Sequence, residues 1–175
     1  LWGSSYSGGH VIVTAANDPD IAAIVSQVPF VDGITTALKA GPSHAMKATV
    51  AIIRDIASMV TGRDPYCIPV VGDPDTLAAM NTPESKPGFM AMIPEDSKWK
   101  NECPARGLLE LMVYRPISSA HNVKCPALVI IADEDSIMVP AVMSKAASRM
   151  REVTLIHIDM GHFDIYVGDI FEKVA

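Results

Sequence analysis

Three places in this 175-residue sequence carry side chains that could act on one another, and each lies at the end of an apolar run. The first is Leu1-Trp2-Gly3-Ser4-Ser5-Tyr6-Ser7-Gly8-Gly9, a serine among small residues leading into an apolar helical pattern. With Ser5 as the reactive residue, Gly3 and Ser7 flank it in a near match to G-x-S-x-G. In a nucleophile elbow of that kind the serine sits on a strained strand-to-helix turn, and its neighbours must be small because the turn forces backbones together. Ser7, between Ser5 and Gly9, offers a second register further from the Leu1-Trp2 strand end. The second place is Asp133-Glu134-Asp135 after the run Ala127–Ile131, and the third is Gly161-His162 after Val153–Ile158.

A serine hydroxyl is a poor nucleophile until a base takes its proton. A neutral imidazole, with an ordinary pKa near ~6.5, does that at neutral pH, and a buried carboxylate fixes its tautomer and stabilises the imidazolium. The chain order serine, acid, histidine is that of one group of serine hydrolases and differs from the two other common triad orders. Asp135, four residues past its strand, is the expected acid. Asp133, nearer the strand end, and Asp32, past the run Ile21–Val28, are alternatives. Glu134 and Asp164 read as solvated or helix-capping groups, His157 and His10 as structural, and His44 and His121 lie at loop or helix edges without the pattern of a serine or acid partner around them.

These groups need a scaffold that brings distant loops to one edge. Continuous apolar runs at Ile21–Val28, Ala127–Ile131 and Val153–Ile158 suit buried parallel strands, and ligands in open α/β sheets bind beyond the carboxyl ends of such strands. Helices are expected over Tyr6–Ala16, Pro140–Arg151 and Phe163–Val174. Between about Gly33 and Ala120 the texture turns helical. Met46, Val50, Ile53, Ala57 and Val60 recur at helical spacing within Ser43–Val60. Shorter helices are expected over Asp75–Met80 and Ala105–Tyr114, and Thr82–Lys98, with three prolines, reads as loop. The expected organisation is an α/β core over 1–35 and 119–175 with a helical cap inserted over 36–118.

Hydrophobic residues make up 49% of the chain and charged residues 19%, which excludes a disordered protein. A net charge of -6 without basic runs argues against nucleic acid as a partner. Cys67, Cys103 and Cys125 are widely spaced, without the clustered ligands of a zinc site, so reduced thiols and no metal are expected. No apolar run is long enough to span a membrane and no signal peptide is visible, which points to the cytoplasm, although any upstream signal would lie outside this sequence.

Gly3-Ser-Ser-Tyr-Ser-Gly-Gly9, Gln27-Val-Pro-Phe-Val-Asp-Gly33 and Gly161-His-Phe-Asp-Ile-Tyr166 with Phe171-Glu172 resemble the α/β-hydrolase superfamily. The likeness is to the branch that contains X-prolyl dipeptidyl peptidases, dienelactone hydrolases and polyketide transferase-like hydrolases. It covers the core segments well and the helical block poorly. It implies a Ser-Asp-His triad at Ser5, Asp135 and His162 and an acyl-enzyme route to ester, thioester or amide cleavage of a small-molecule substrate, with no cofactor. The same triad would serve an acyltransferase, and a silent hydrolase fold used as a binding module is the reading from another class. In that family the residue after the nucleophile, here Tyr6, gives the first oxyanion N–H, several strands precede the elbow, and one of their loops donates the second. The sequence therefore reads as the C-terminal half of such a fold, and the 175-residue chain by itself is expected to be poorly soluble and nearly inactive.

Overall fold

The computed structural model describes residues 1–174. The chain forms two compact units: a sheet unit of Leu1–Thr36 with Tyr114–His162, and a helical unit of Ala37–Val113 with the chain from Phe163 onward.

The sheet unit is built on four parallel strands, β1 (Trp2–Ser4), β2 (Ile24–Gln27), β5 (Ala127–Ala132) and β6 (Val153–Ile158), in that spatial order. Gly3 pairs with Ser26, Ser26 with Val129, and Ile131 with His157. Parallel neighbours need crossovers. The helix α1 (Tyr6–Asn17) connects β1 to β2, and α6 (Pro140–Ala147) connects β5 to β6. Strand β5 is apolar on both faces and buried, β2 buries the polar Ser26 and Gln27 beside Ile24, and Ile12, Ile24, Val28, Val129, Ile131 and Met143 form the centre of the core at no more than 1% exposure. Two single turns of 3-10 helix, Pro116–Ser118 and Ala120–Asn122, lead the chain back into β5.

The helical unit contains α3 (Gly41–Val60), α4 (Ser85–Ala91), α5 (Gly107–Val113), α7 (Gly168–Val174) and a two-stranded antiparallel ladder of β3 (Cys67–Ile68) with β4 (Cys103–Pro104). Helix α2 (Gly33–Lys39) carries the chain out of the sheet unit. Within the helical unit Ala51, Ile68 and Ala105 pack with Leu77, Cys103 and Leu108. The fully buried Asp55 accepts the N–H groups of Tyr66 and Arg106 at 2.9 and 2.8 Å, with the Arg106 guanidinium 3.5 Å away. Among the described residues no helix is long and apolar enough to cross a membrane.

Several expected elements differ. Asp75–Met80 is not a helix: Asp75 has φ of 66°, Thr76 turns back onto the Asp73 carbonyl, and Val71 bridges to Met80. Thr82–Lys98 is not wholly loop, since it holds α4. Pro87 is the third residue of that helix, where its missing N–H would have had no acceptor within the helix. The second strand begins at Ile24 rather than Ile21, α6 ends at Ala147 rather than Arg151, and the last helix begins at Gly168 rather than Phe163, after a run of turns.

Candidate active site

The elbow starts from covalent constraint. Ser5 follows β1 directly and has φ 53° and ψ -118°, a conformation that L residues adopt only when their surroundings enforce it. The enforcement is visible on both sides: the Ser5 N–H donates to the Gln27 carbonyl at 2.9 Å, and the Ser5 carbonyl accepts the Phe30 N–H at 2.9 Å. One residue earlier in β2, Ser26 is buried and donates its hydroxyl to the Gly8 carbonyl at 2.9 Å. Small residues are obligatory around the turn. A Cβ on Gly3 would lie 2.3 Å from the Ser7 carbonyl oxygen, and one on Gly9 would lie 2.3 Å from that of Phe30. Tyr6 opens α1, so its N–H belongs to the first turn, whose N–H groups point out of the helix end.

His162 reaches this turn from the loop after β6. Its Nε2 is 3.1 Å from Ser5 Oγ, and its Nδ1 is 2.7 Å from Asp135 Oδ2. The other carboxylate oxygen of Asp135 accepts the N–H groups of Ile137 and Met138 at 2.8 and 2.7 Å. Both side chains are buried, at 2% exposure for His162 and 0% for Asp135. Backbone bonds hold the two loops to each other: Asp133 N–H donates to the Ile158 carbonyl and Glu134 N–H to that of Met160, at 2.9 and 3.0 Å.

The alternatives lie elsewhere. Ser7 is an exposed residue within α1. Asp133 turns to His157 Nδ1 at 2.6 Å, and both side chains are more than 40% exposed. Asp32 is held by Arg115 through two bonds, Nε to Oδ1 at 2.9 Å and a terminal nitrogen to Oδ2 at 3.1 Å, and it also accepts the Ile34 N–H and the Thr35 hydroxyl. Burial pushes the Asp32 carboxyl up, but the Arg115 bonds and charge, then Thr35 and Ile34, more than offset this and hold it below its usual value. His121 is exposed on a 3-10 turn, and His44 belongs to the helical unit, where burial and then Lys47 lower its pKa. Among the described residues no group of three or more His, Cys, Asp or Glu side chains could hold a metal ion.

Sequence reasoning missed a cluster of rings beside Ser5. Tyr6 makes edge contacts with His10 and Phe30 at 4.5 and 5.4 Å between ring centroids and a tilted contact with Tyr114 at 5.2 Å. The Tyr114 hydroxyl is 2.7 Å from His10 Nδ1. Helical spacing puts Tyr6 and His10 on one face, but Tyr114 lies 104 residues beyond His10 and no local pattern joins them.

No protein-family model matches the sequence. The quorum-quenching protein AidA of Acinetobacter baumannii (strain MDR-ZJ06) is 33% identical over 175 residues, which is all of this chain and 58% of AidA. The chain thus spans less than two thirds of that relative's length. Among solved structures, DcsB in complex with a substrate analogue superposes with a TM-score of 0.79 at 20% identity, covering 99% of this chain and 60% of DcsB. The alpha/beta hydrolase GrgF from Penicillium sp. sh18 superposes with a TM-score of 0.71 at 18% identity, covering 99% of this chain and 59% of GrgF. The parallel sheet with flanking helices and these superpositions show that the chain has the α/β-hydrolase fold.

Proposed function

We propose that the protein is a serine hydrolase acting on small acyl substrates, with Ser5 as nucleophile, His162 as base, Asp135 as acid and the Tyr6 N–H as an oxyanion donor. The observation that carries this reading is the continuous run of contacts Ser5–His162–Asp135, made by residues 157 and 27 positions apart in sequence. With His162 protonated on Nδ1 and bonded to Asp135, Nε2 accepts the Ser5 proton as Oγ forms a bond to the acyl carbon. The carbonyl electrons move to oxygen, which the Tyr6 N–H stabilises. Collapse breaks the bond to the leaving group, which takes the proton from His162 Nε2. Water then repeats the sequence on the acyl-serine, and Ser5 Oγ recovers its proton from His162. The segment 36–118 would serve as the cap that selects the acyl group. Substitutions there should alter KM across a series of acyl esters and leave reaction with a small phosphonate unchanged.

Full-length protein should be labelled by a fluorophosphonate probe and should hydrolyse short acyl esters, and Ser5→Ala should abolish both. Labelling that survives in Ser5→Ala would reject the nucleophile. Because AidA is a quorum-quenching protein, signalling molecules that carry an acyl bond belong in the substrate panel.

A further inference from the structure

The strained elbow has to hold the Tyr6 N–H in place while charge builds on the reacting carbonyl, and a donor that drifts by a few tenths of an ångström loses much of its effect. Backbone bonds to Gln27, Phe30 and Gly9 fix Ser5 itself. What surrounds Tyr6 is aromatic: Phe30, buried on the chain that leaves β2, His10 one turn further along α1, and Tyr114 at the point where the chain re-enters the sheet unit. Tyr114 is anchored independently of Tyr6, since its carbonyl accepts the Gly33 N–H at 3.0 Å and the next residue, Arg115, is bound through both carboxylate oxygens of Asp32. The Tyr114 hydroxyl, 2.7 Å from His10 Nδ1, closes the ring of contacts. Burial, and then the neighbouring Tyr6, pushes this phenol up to about 12, so it keeps its proton at neutral pH and donates to Nδ1 when His10 carries its own proton on Nε2.

We infer that Tyr114 is a positioning residue for the oxyanion-donating N–H: its ring and its hydroxyl bond to His10 brace Tyr6 against the anchored return of the chain. The inference rests on the active-site reading above, in which Ser5 is the nucleophile and Tyr6 the donor. A brace of this kind acts on the transition state. Its loss should lower kcat while leaving substrate affinity nearly alone.

The test uses full-length protein and two measurements: kcat and KM on a short acyl ester, and affinity for a trifluoromethyl ketone, which adds to Ser5 and places an oxyanion against the same donor. Tyr114→Phe should lower kcat about five- to tenfold, the worth of one hydrogen bond, with KM within about twofold, and weaken the ketone in step with kcat. His10→Leu should match it, and the double variant should be no worse than either single, because both remove one bond. His10→Gln, whose amide oxygen still accepts the hydroxyl proton, should retain most of the activity. Should Tyr114→Phe fail to fold, His10→Leu carries the same test from the exposed side of the bond. Unchanged kcat and ketone affinity in a folded Tyr114→Phe would overturn the brace, as would a loss confined to KM. If Ser5→Ala is inert while Tyr114→Phe equals wild type, only the brace fails. If Ser5→Ala still reacts, the active-site reading itself falls.

Discussion

Asp133 and Asp135 lie two residues apart and face different histidines. Asp133 pairs with His157 where both are exposed, and Asp135 pairs with His162 where both are buried. Water screens the outer pair and leaves it worth at most about 1 kcal/mol, whereas in the proposed reaction the buried carboxylate would face the imidazolium that forms when His162 takes the Ser5 proton. Asp135→Asn preserves shape but removes the charge and invites the wrong tautomer, so turnover of a short acyl ester should fall about 10³- to 10⁴-fold. Asp133→Asn should stay within about fivefold of wild type. The reverse ranking in kcat would reassign the acid. The order of serine, carboxylate and histidine was legible because each stands just past an apolar run. The choice of Asp135 within Asp133-Glu134-Asp135 rested only on its distance past the strand, whereas the contact that separates it from Asp133, each carboxylate facing its own histidine, depends on where β6 and its loop lie, which is a tertiary fact.

Helix α3 shows the limit of periodicity at the next scale. Met46, Val50, Ile53 and Val60 do share a face, but that face is exposed, at 66, 48, 61 and 77%, while Ala48, Ala51 and Asp55 point inward. Spacing says which residues share a face, and what packs against the helix decides which face is covered. Here the covered side must approach β3, β4 and the start of α5 closely, so small residues and a carboxylate that accepts two N–H groups occupy it. Ala51→Leu should therefore destabilise the protein by about 1–3 kcal/mol through overpacking, and Ile53→Ser should stay within about 0.5 kcal/mol of wild type in urea denaturation. A large loss in Ile53→Ser would mean that the stripe is covered in solution. Strand β5 was legible for the opposite reason, since residues apolar on both faces leave no question of orientation. Helix α4 was hidden because the three prolines of Thr82–Lys98 read as loop, although a proline in the first turn, as Pro87 is, is tolerated.

The chain leaves the sheet unit after Thr36 and re-enters it at Tyr114, and both crossings are fastened at one place. Gly33 N–H donates to the Tyr114 carbonyl, Ile117 N–H to that of Val31, and Arg115 grips Asp32 through both carboxylate oxygens. The sequence suggested Asp32 as a possible triad acid, but its charge is engaged by Arg115, 83 residues away. A carboxylate bound in this way titrates below its unfolded value, taken as 3.8, so the native state favours the ionised form. The sign follows. The stabilisation is complete above 3.8 and is lost as the pH falls through the lower, folded-state value. Arg115→Gln removes one charge and the bidentate geometry while Asp32 stays 8% exposed, so at neutral pH it should lower the unfolding free energy by about 2 kcal/mol. Wild type gains from the ion pair only while Asp32 is ionised. The gap between the two proteins should hold from neutral pH down to about 4 and then close as the wild type loses its advantage. Thermal unfolding of both proteins across that range reads the difference directly. A gap that stays constant well below 3.8 would show that Arg115 stabilises the crossing by packing and not through the Asp32 charge.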